Sequence, residues 1–252
     1  MKSKRPSRVR STSSLLRQRR GSHVGFVISF IMFITFIVFM YLILNSRIDF
    51  GQDKANSLEY VKAEITERTS GDLTSASVAI TQTNPQNCVQ LRDFFLRTGV
   101  RDRFVVRSDS GNVLTASKSD NDLLVQRSGN TFLRVYGSGE FNIASTGGLG
   151  SCQPLSEGSQ YTIGLIREGR DIFESKIIGL LNSYTGDYEA LKRDMKISSG
   201  DEFGFIFTYS NGIAIKTADR NLKINVYVDR IPVQYIKTDG AREIGFIDVI
   251  VW

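Results

Sequence analysis

Histidine is almost absent from this chain: His23 is the only one in 252 residues. A Ser-His-Asp or Cys-His catalytic arrangement beyond that point is therefore excluded. Cysteine is nearly as scarce, with only Cys88 and Cys152. Two sulphurs without histidine fall short of the four ligands of a structural zinc site. Four prolines against 22 glycines leave no Pro-rich linker and no collagen-like repeat. Acidic residues are missing altogether from the first 24 positions, which carry eight Lys/Arg, so the net +6 belongs to a short tail while residues 25–252 sum to −2. A body of that balance offers no general basic groove for nucleic acid.

Charge is also missing from Val24 to Leu44, VGFVISFIMFITFIVFMYLIL. At 1.5 Å per residue such a helix spans roughly 30 Å, the hydrocarbon thickness of a bilayer. Ser29 and Thr35 can bond back to their own helix, and Tyr41 lies near one end, where an amphipathic ring prefers the interface. The basic residues precede the span, so the positive-inside rule predicts residues 1–23 as a cytoplasmic tail and residues 45–252 outside, in an extracytoplasmic position. The span is longer than a secretory signal core and ends in Leu44-Asn45-Ser46-Arg47, which lacks a small-x-small cleavage site, so a permanent anchor in the cell membrane is expected. The lipid bilayer is thus the first predicted partner. Gly21 and Gly25 stand at GxxxG spacing, a weak helix-pairing signal through which a homo- or hetero-oligomer could form.

Beyond a polar break at Asp49–Asp53, Leu58, Val61 and Ile65 recur on one helical face over Lys54–Arg68, with Glu64 and Arg68 paired at i,i+4. This predicts a helical stalk over 45–70, continuing the membrane helix outward with a bend. Period two takes over at Leu73–Ile80 and predicts strands at Arg103–Arg107, Asn112–Ala116, Asp122–Arg127, Thr131–Tyr136 and Glu140–Ala144. Asp109-Ser110-Gly111-Asn112 and Ser128-Gly129-Asn130 have the chemistry of hairpin turns. Tyr161–Arg167 and Asp171–Ser175 read as a further hairpin around Glu168-Gly169-Arg170. Asn182–Met195 returns to helical spacing, capped at Thr185 or Asp187. Phe203–Thr208 and Ile213–Lys216 flank Ser210-Asn211-Gly212, the strongest hairpin signal. Leu222–Asp229 alternates, Pro232 demotes its own segment to an edge or bend, and Ile244–Trp252 reads as a strand buried on both faces. The expectation is an α+β chain: a membrane helix with an amphipathic extension, then a predominantly antiparallel β domain over 71–252 with one further helix. A subdivision near 147–159 is the alternative to one domain.

Residues that carry chemistry are few. Cys88 and Cys152 both lie in loop-like contexts outside the membrane, where a disulfide is expected. Ser145-Thr-Gly-Gly-Leu-Gly-Ser151 lacks the lysine and the succeeding helix of a phosphate loop and reads as a plain loop. Asp120/Asp122 and Asp201/Glu202 have too few ligands for a calcium loop and read as turn caps. No catalytic residue, cofactor or metal ligand is assigned; the chain reads as a non-enzyme, and its motifs leave a small-molecule ligand unknown.

A basic leader with Arg19-Arg20-Gly21-Ser22, an uninterrupted helix, an amphipathic continuation and a β-rich head resemble a type IV pilin or pilin-like protein. Arg19–Gly25, Gly51-Gln52-Asp53, Ser57-Leu58-Glu59-Tyr60 and Glu202-Phe203-Gly204-Phe205 are also similar to uncharacterised single-pass membrane proteins of small-genome archaea. The pilin resemblance implies peptidase cleavage between Gly21 and Ser22 and helix packing in a filament. Two positions depart from the family: Phe26 stands where its acidic fifth residue would be, and polar Ser22 would become the first. A structural or assembly protein at the cell surface is the expected function, with an extracytoplasmic binding or adhesion module on a permanent anchor as the alternative.

Overall fold

The computed structural model describes residues 23–83, 85–141, 149–217 and 226–252, with His23 and residues 44–53 described in their backbone alone. The expected cleavage pair Gly21/Ser22, residues 142–148 and residues 218–225 lie outside the described residues. The chain is α+β. Gly51 and Gln52 mark the division between two compact units.

Helix α1 runs from His23 to Thr69. The polar stretch Asp49–Asp53, expected to interrupt it, is helical; one glycine costs a helix only about 1 kcal/mol and does not by itself end it. Within the first unit, Val24–Ile43 is long and apolar enough to cross a membrane, and none of it is buried. Thr35 returns its hydroxyl to the carbonyls of Ile31 and Met32 at 3.0 and 2.9 Å, so its polarity is absorbed inside the helix.

In the second unit the end of α1 is a core element. Val61 and Ile65 are completely buried and Leu58 packs beside them, the stripe that the 3.6-residue period predicts. Each such burial contributes about 1.5–3 kcal/mol. Strand β1 (Ser70–Ile80) leaves directly from this helix. Then come β2 (Cys88–Leu91), α2 (Phe94–Thr98), β3 (Phe104–Ser108), β4 (Val113–Leu114), β5 (Ala116–Ser119), β6 (Asp122–Gln126), β7 (Phe132–Gly137), β8 (Gln153–Leu155) and β9 (Tyr161–Phe173). Helices α3 (Glu174–Gly186) and α4 (Tyr188–Asp194) precede β10 (Phe203–Thr208), β11 (Ala214–Lys216), β12 (Tyr227–Ile236) and β13 (Arg242–Val251).

The strands form a nine-stranded sheet, β11-β10-β13-β12-β9-β1-β7-β3-β4, and a four-stranded one, β5-β6-β2-β8. Pairing is antiparallel except for β12 on β9 and β8 on β2. This arrangement makes two principal cores. Helices α1, α3 and α4 cover β10, β12 and β13, burying Phe203, Phe205, Phe207, Tyr235 and Val249. The smaller sheet and α2 cover β1, β3 and β7, burying Val78, Phe104, Leu133 and Val135 against Val89, Leu123 and Phe94.

Several local expectations give way to long-range pairing. Tyr161–Ser175 is not a hairpin: β9 is one strand through Gly169, because it lies antiparallel on β1 from Ser70↔Ile172 to Ile80↔Tyr161. Helix α3 begins at Glu174, where local alternation predicts a strand reaching Ser175. The helical stretch expected over Asn182–Met195 falls in two helices that meet at Asp187; α4 is capped there, one of the two expected cap positions, with Asp187 Oδ1 accepting from the Ala190 N–H at 2.9 Å, while Thr185 bonds within α3. Counting α2, three helices among the described residues come after α1, against the one expected.

Glu140 and Phe141 form a turn rather than the start of a strand, since Phe141 folds inward onto Phe173. Ser128 and Gly129 do take positive φ, 48° and 84°, yet the turn joins strands of different sheets. The turn before β11 is a true hairpin, with Gly212 at φ +82° between paired β10 and β11. Pro232 lies inside β12, where β13 is its partner and β9 joins only at Tyr235 and Ile236, so it occupies an edge as expected. β13 lies between β10 and β12, but only its second half is buried: Ile244 is 62% exposed and Val249 is 0%.

Gly245 shows how tightly that region is built. A methyl group there would lie 2.7 Å from the Thr208 carbonyl oxygen and 3.1 Å from the Phe207 ring. Gly245→Ala is expected to destabilise the domain by about 1–3 kcal/mol, the usual effect of overpacking. A lowered urea midpoint with an unchanged slope checks this.

Candidate functional site

Cys88 and Cys152 come together. Cys88 opens β2 and Cys152 immediately precedes β8, and the parallel register Val89↔Gln153 makes them the preceding pair in the ladder. Their sulphurs lie at disulfide distance and their Cα atoms are 4.6 Å apart, inside the window of roughly 4.4–6.8 Å that a disulfide requires.

The acidic pairs act as structural acceptors. Asp122 accepts from the Gln90 amide at 2.5 Å and from the Asp93 backbone N–H at 2.8 Å. Asp201 accepts from the Lys54 ammonium and from Ser57 Oγ, at 2.6 Å for the latter. Glu202 accepts from Lys192 at 2.9 Å and from Tyr188 Oη at 2.5 Å. Among the described residues no group of three or more His, Cys, Asp or Glu could hold a metal ion.

These contacts set the electrostatics. Burial pushes the Asp201 carboxyl up, but the bonds from Lys54 and Ser57 and the charges of Lys54 and Lys192 outweigh it and hold it below its ordinary 3.8. The bond from Lys62 holds Asp229 below 3.8 as well. Tyr235 and Ser210 donate to Glu243 and keep it below 4.5. Burial first, then the Glu202 carboxylate, raises the Tyr188 phenol far above neutrality, so Tyr188 is a fixed donor at physiological pH.

Two surface depressions stand out among the described residues of the second unit. The larger, about 1090 Å³, lies between the end of α1 and helices α3 and α4. Its cations are neutralised: Arg68 pairs with Glu64 and Asp194, Arg170 with Glu67, and Lys176 with Glu140. The smaller, about 390 Å³, lies on the face of β1 opposite the small sheet, with Ser75 and Ser77 of β1 at its centre. Beside them stand Phe132, Arg134 and Tyr136 of β7, Leu165 and Arg167 of β9, and Arg242 at the start of β13. The β12–β13 turn bends over the neighbouring strand, where the Asp239 carbonyl accepts from Arg107 at 2.8 Å. The register Ser77↔Arg134 and Ser75↔Arg167 sets the arginines diagonally on either side of β1. Arg242 reaches one carboxylate, Asp171, at 3.5 Å. Arg134 and Arg167 have no ion-pair partner among the described residues. This concave face therefore holds a surplus of positive charge that no local sequence pattern reveals. Alternation alone puts Arg134 on one side with Phe132 and Tyr136, but the neighbours of β9 and β13 are tertiary information.

Thiol labelling is expected to modify Cys88 and Cys152 only after reduction. Opening a closure of 64 residues lowers stability by up to about 4 kcal/mol on the chain-entropy model, to be read from urea unfolding with and without reductant. Acid is expected to destabilise the same domain. Asp201, Asp229 and Glu243 are held below their ordinary values, so the folded chain binds fewer protons than the unfolded one. Their contribution is complete above about pH 5 and is lost as pH falls through the lowered values. Asp201→Asn should be less stable at pH 7 and should lose less between pH 5 and 3, as measured by urea midpoints across that range.

No protein-family model, curated protein or solved structure matches this chain.

Proposed function

We propose that this protein is a single-pass, membrane-anchored surface protein of structural or assembly type, pilin-like in plan, with its N-terminus in the cytoplasm and its β-rich domain on the other side of the membrane. The observation that carries this reading is helix α1. Its segment Val24–Ile43 is apolar all round and wholly unburied, a surface that water disfavours and hydrocarbon accepts. The same element, His23–Thr69, ends with Val61 and Ile65 fully buried. An element whose far end belongs to a folded core serves as an attachment better than as a removable signal. The eight cations before the span and their absence of acidic neighbours support the orientation. The pilin resemblance adds processing between Gly21 and Ser22.

The test is the intact mass of the protein recovered from native membranes, with alkaline carbonate extraction. A full-length, carbonate-resistant chain sinks the processed-pilin version and leaves a permanent anchor that displays the β-rich domain. Loss of residues 1–21 identifies processing of pilin type and makes filament assembly the function. A soluble species lacking the whole apolar segment overturns the anchor.

A further inference from the structure

We propose that the concave face over β1 is a binding site for a tetrahedral oxyanion, a phosphate or sulfate group carried on a small molecule or a lipid headgroup. The inference does not depend on the membrane reading, because every residue in it belongs to the folded second unit.

The contrast between the two depressions decides it. Around the larger cleft, Arg68, Arg170 and Lys176 each have a carboxylate partner, so a bound anion would have to displace an existing pair. Over β1 three guanidinium groups share one carboxylate, Asp171, held at a long 3.5 Å by Arg242 alone. Like charges gathered on one side of a sheet oppose folding, and residues 25–252 are net negative overall, so this surplus is local and not a general basic character. An oxyanion would relieve it. The guanidinium fork matches the oxygen spacing of phosphate and sulfate and binds them in bidentate fashion.

The centre of the site has the complementary chemistry. Ser75 and Ser77 carry small hydroxyls, and their present bonds are long: 3.4 Å to the Arg167 carbonyl and 3.5 Å to the Leu165 carbonyl. Both can turn to donate to a ligand oxygen with little loss. Phe132 lies under the Arg134 guanidinium at 5.9 Å, which orients that side chain. Leu165 is 75% exposed and offers an apolar wall to whatever bears the anion. A volume near 390 Å³ suits a small organic anion rather than a polymer segment.

The test uses the full-length chain in neutral detergent micelles. Thermal unfolding and isothermal titration are followed with sodium phosphate and sodium sulfate at constant ionic strength, with sodium chloride as control. Phosphate or sulfate is expected to raise Tm and to bind saturably, while chloride at equal ionic strength does neither. Arg134→Gln and Arg167→Gln should each weaken binding about tenfold or more, as expected for loss of a hydrogen bond to a charged group. Without the anion, both variants should be as stable as the parent or more so. Arg193→Gln, altering an exposed arginine of α4, should leave the response intact. Unchanged binding in both Arg134 and Arg167 variants, or an equal response to chloride, overturns the site. Reconstitution into phosphatidylcholine vesicles with and without phosphatidylglycerol then separates the sources. An Arg134- and Arg167-dependent rise in Tm confined to the anionic vesicles, and competed by free phosphate, identifies a headgroup. No such rise, with soluble-anion binding retained, identifies a free ligand.

Discussion

Burial of the last turns of α1 against β10, β12 and β13 is the contact on which the second unit depends. Val61 and Ile65 have no exposure at all, and polar contacts fix the helix around them. Tyr60 donates to the Met195 carbonyl at 2.9 Å, Lys62 to Asp229 at 2.7 Å, and Arg68 to the Asp194 carboxylate and carbonyl at 2.5 and 3.0 Å. These partners belong to the end of α4 and to β12, so one helix gathers both elements at once. Thr69 closes the helix by bonding back to Ile65 at 2.7 Å, and β1 starts at the next residue.

That start sets the sheet organisation. β1 is paired along most of its length on both sides, by β7 and β9, and the long antiparallel match with β9 overrides the turn chemistry of Glu168-Gly169-Arg170. β12 touches β9 at only two residue pairs, Tyr235↔Ile172 and Ile236↔Phe173. The large sheet is therefore two well-paired halves with a narrow join. That join has its own small core of Leu73, Tyr136, Phe141, Phe173 and Ile236. Beyond it the N-terminal parts of β9 and β12 are edges, and Gly164 to Arg170 are exposed in an unbroken run.

Charge is used in two ways on this scaffold. In the cleft between α1, α3 and α4, Arg68, Arg170 and Lys176 each meet an anion, so those groups fix geometry rather than offering a ligand anything. Lys192 is 6% exposed and meets Glu202; such a buried pair is costly to break from one side and is weak evidence of net stabilisation. Over β1 the arginines converge from three strands and are left with little to neutralise them.

By itself the sequence determined what depends on neighbours a few residues away. The uncharged run after Val24, the stripe Leu58–Val61–Ile65, the alternation of β1, β3, β6 and β7, and the Asn211-Gly212 turn are all local patterns of period or backbone freedom, and each is legible. The two cysteines can be named as candidates, but their adjacency needs the parallel register of β2 and β8. Tertiary structure decided the rest, because strand pairing and burial act over long separations and outweigh local propensities of a few tenths of a kcal/mol. Pairing with β1 drew Glu168–Arg170 into a strand, the inward turn of Phe141 replaced the strand start expected at Glu140, and the sheet order that sets β7, β1 and β9 side by side with β13 beyond β12 brought Arg134, Arg167 and Arg242 to one depression.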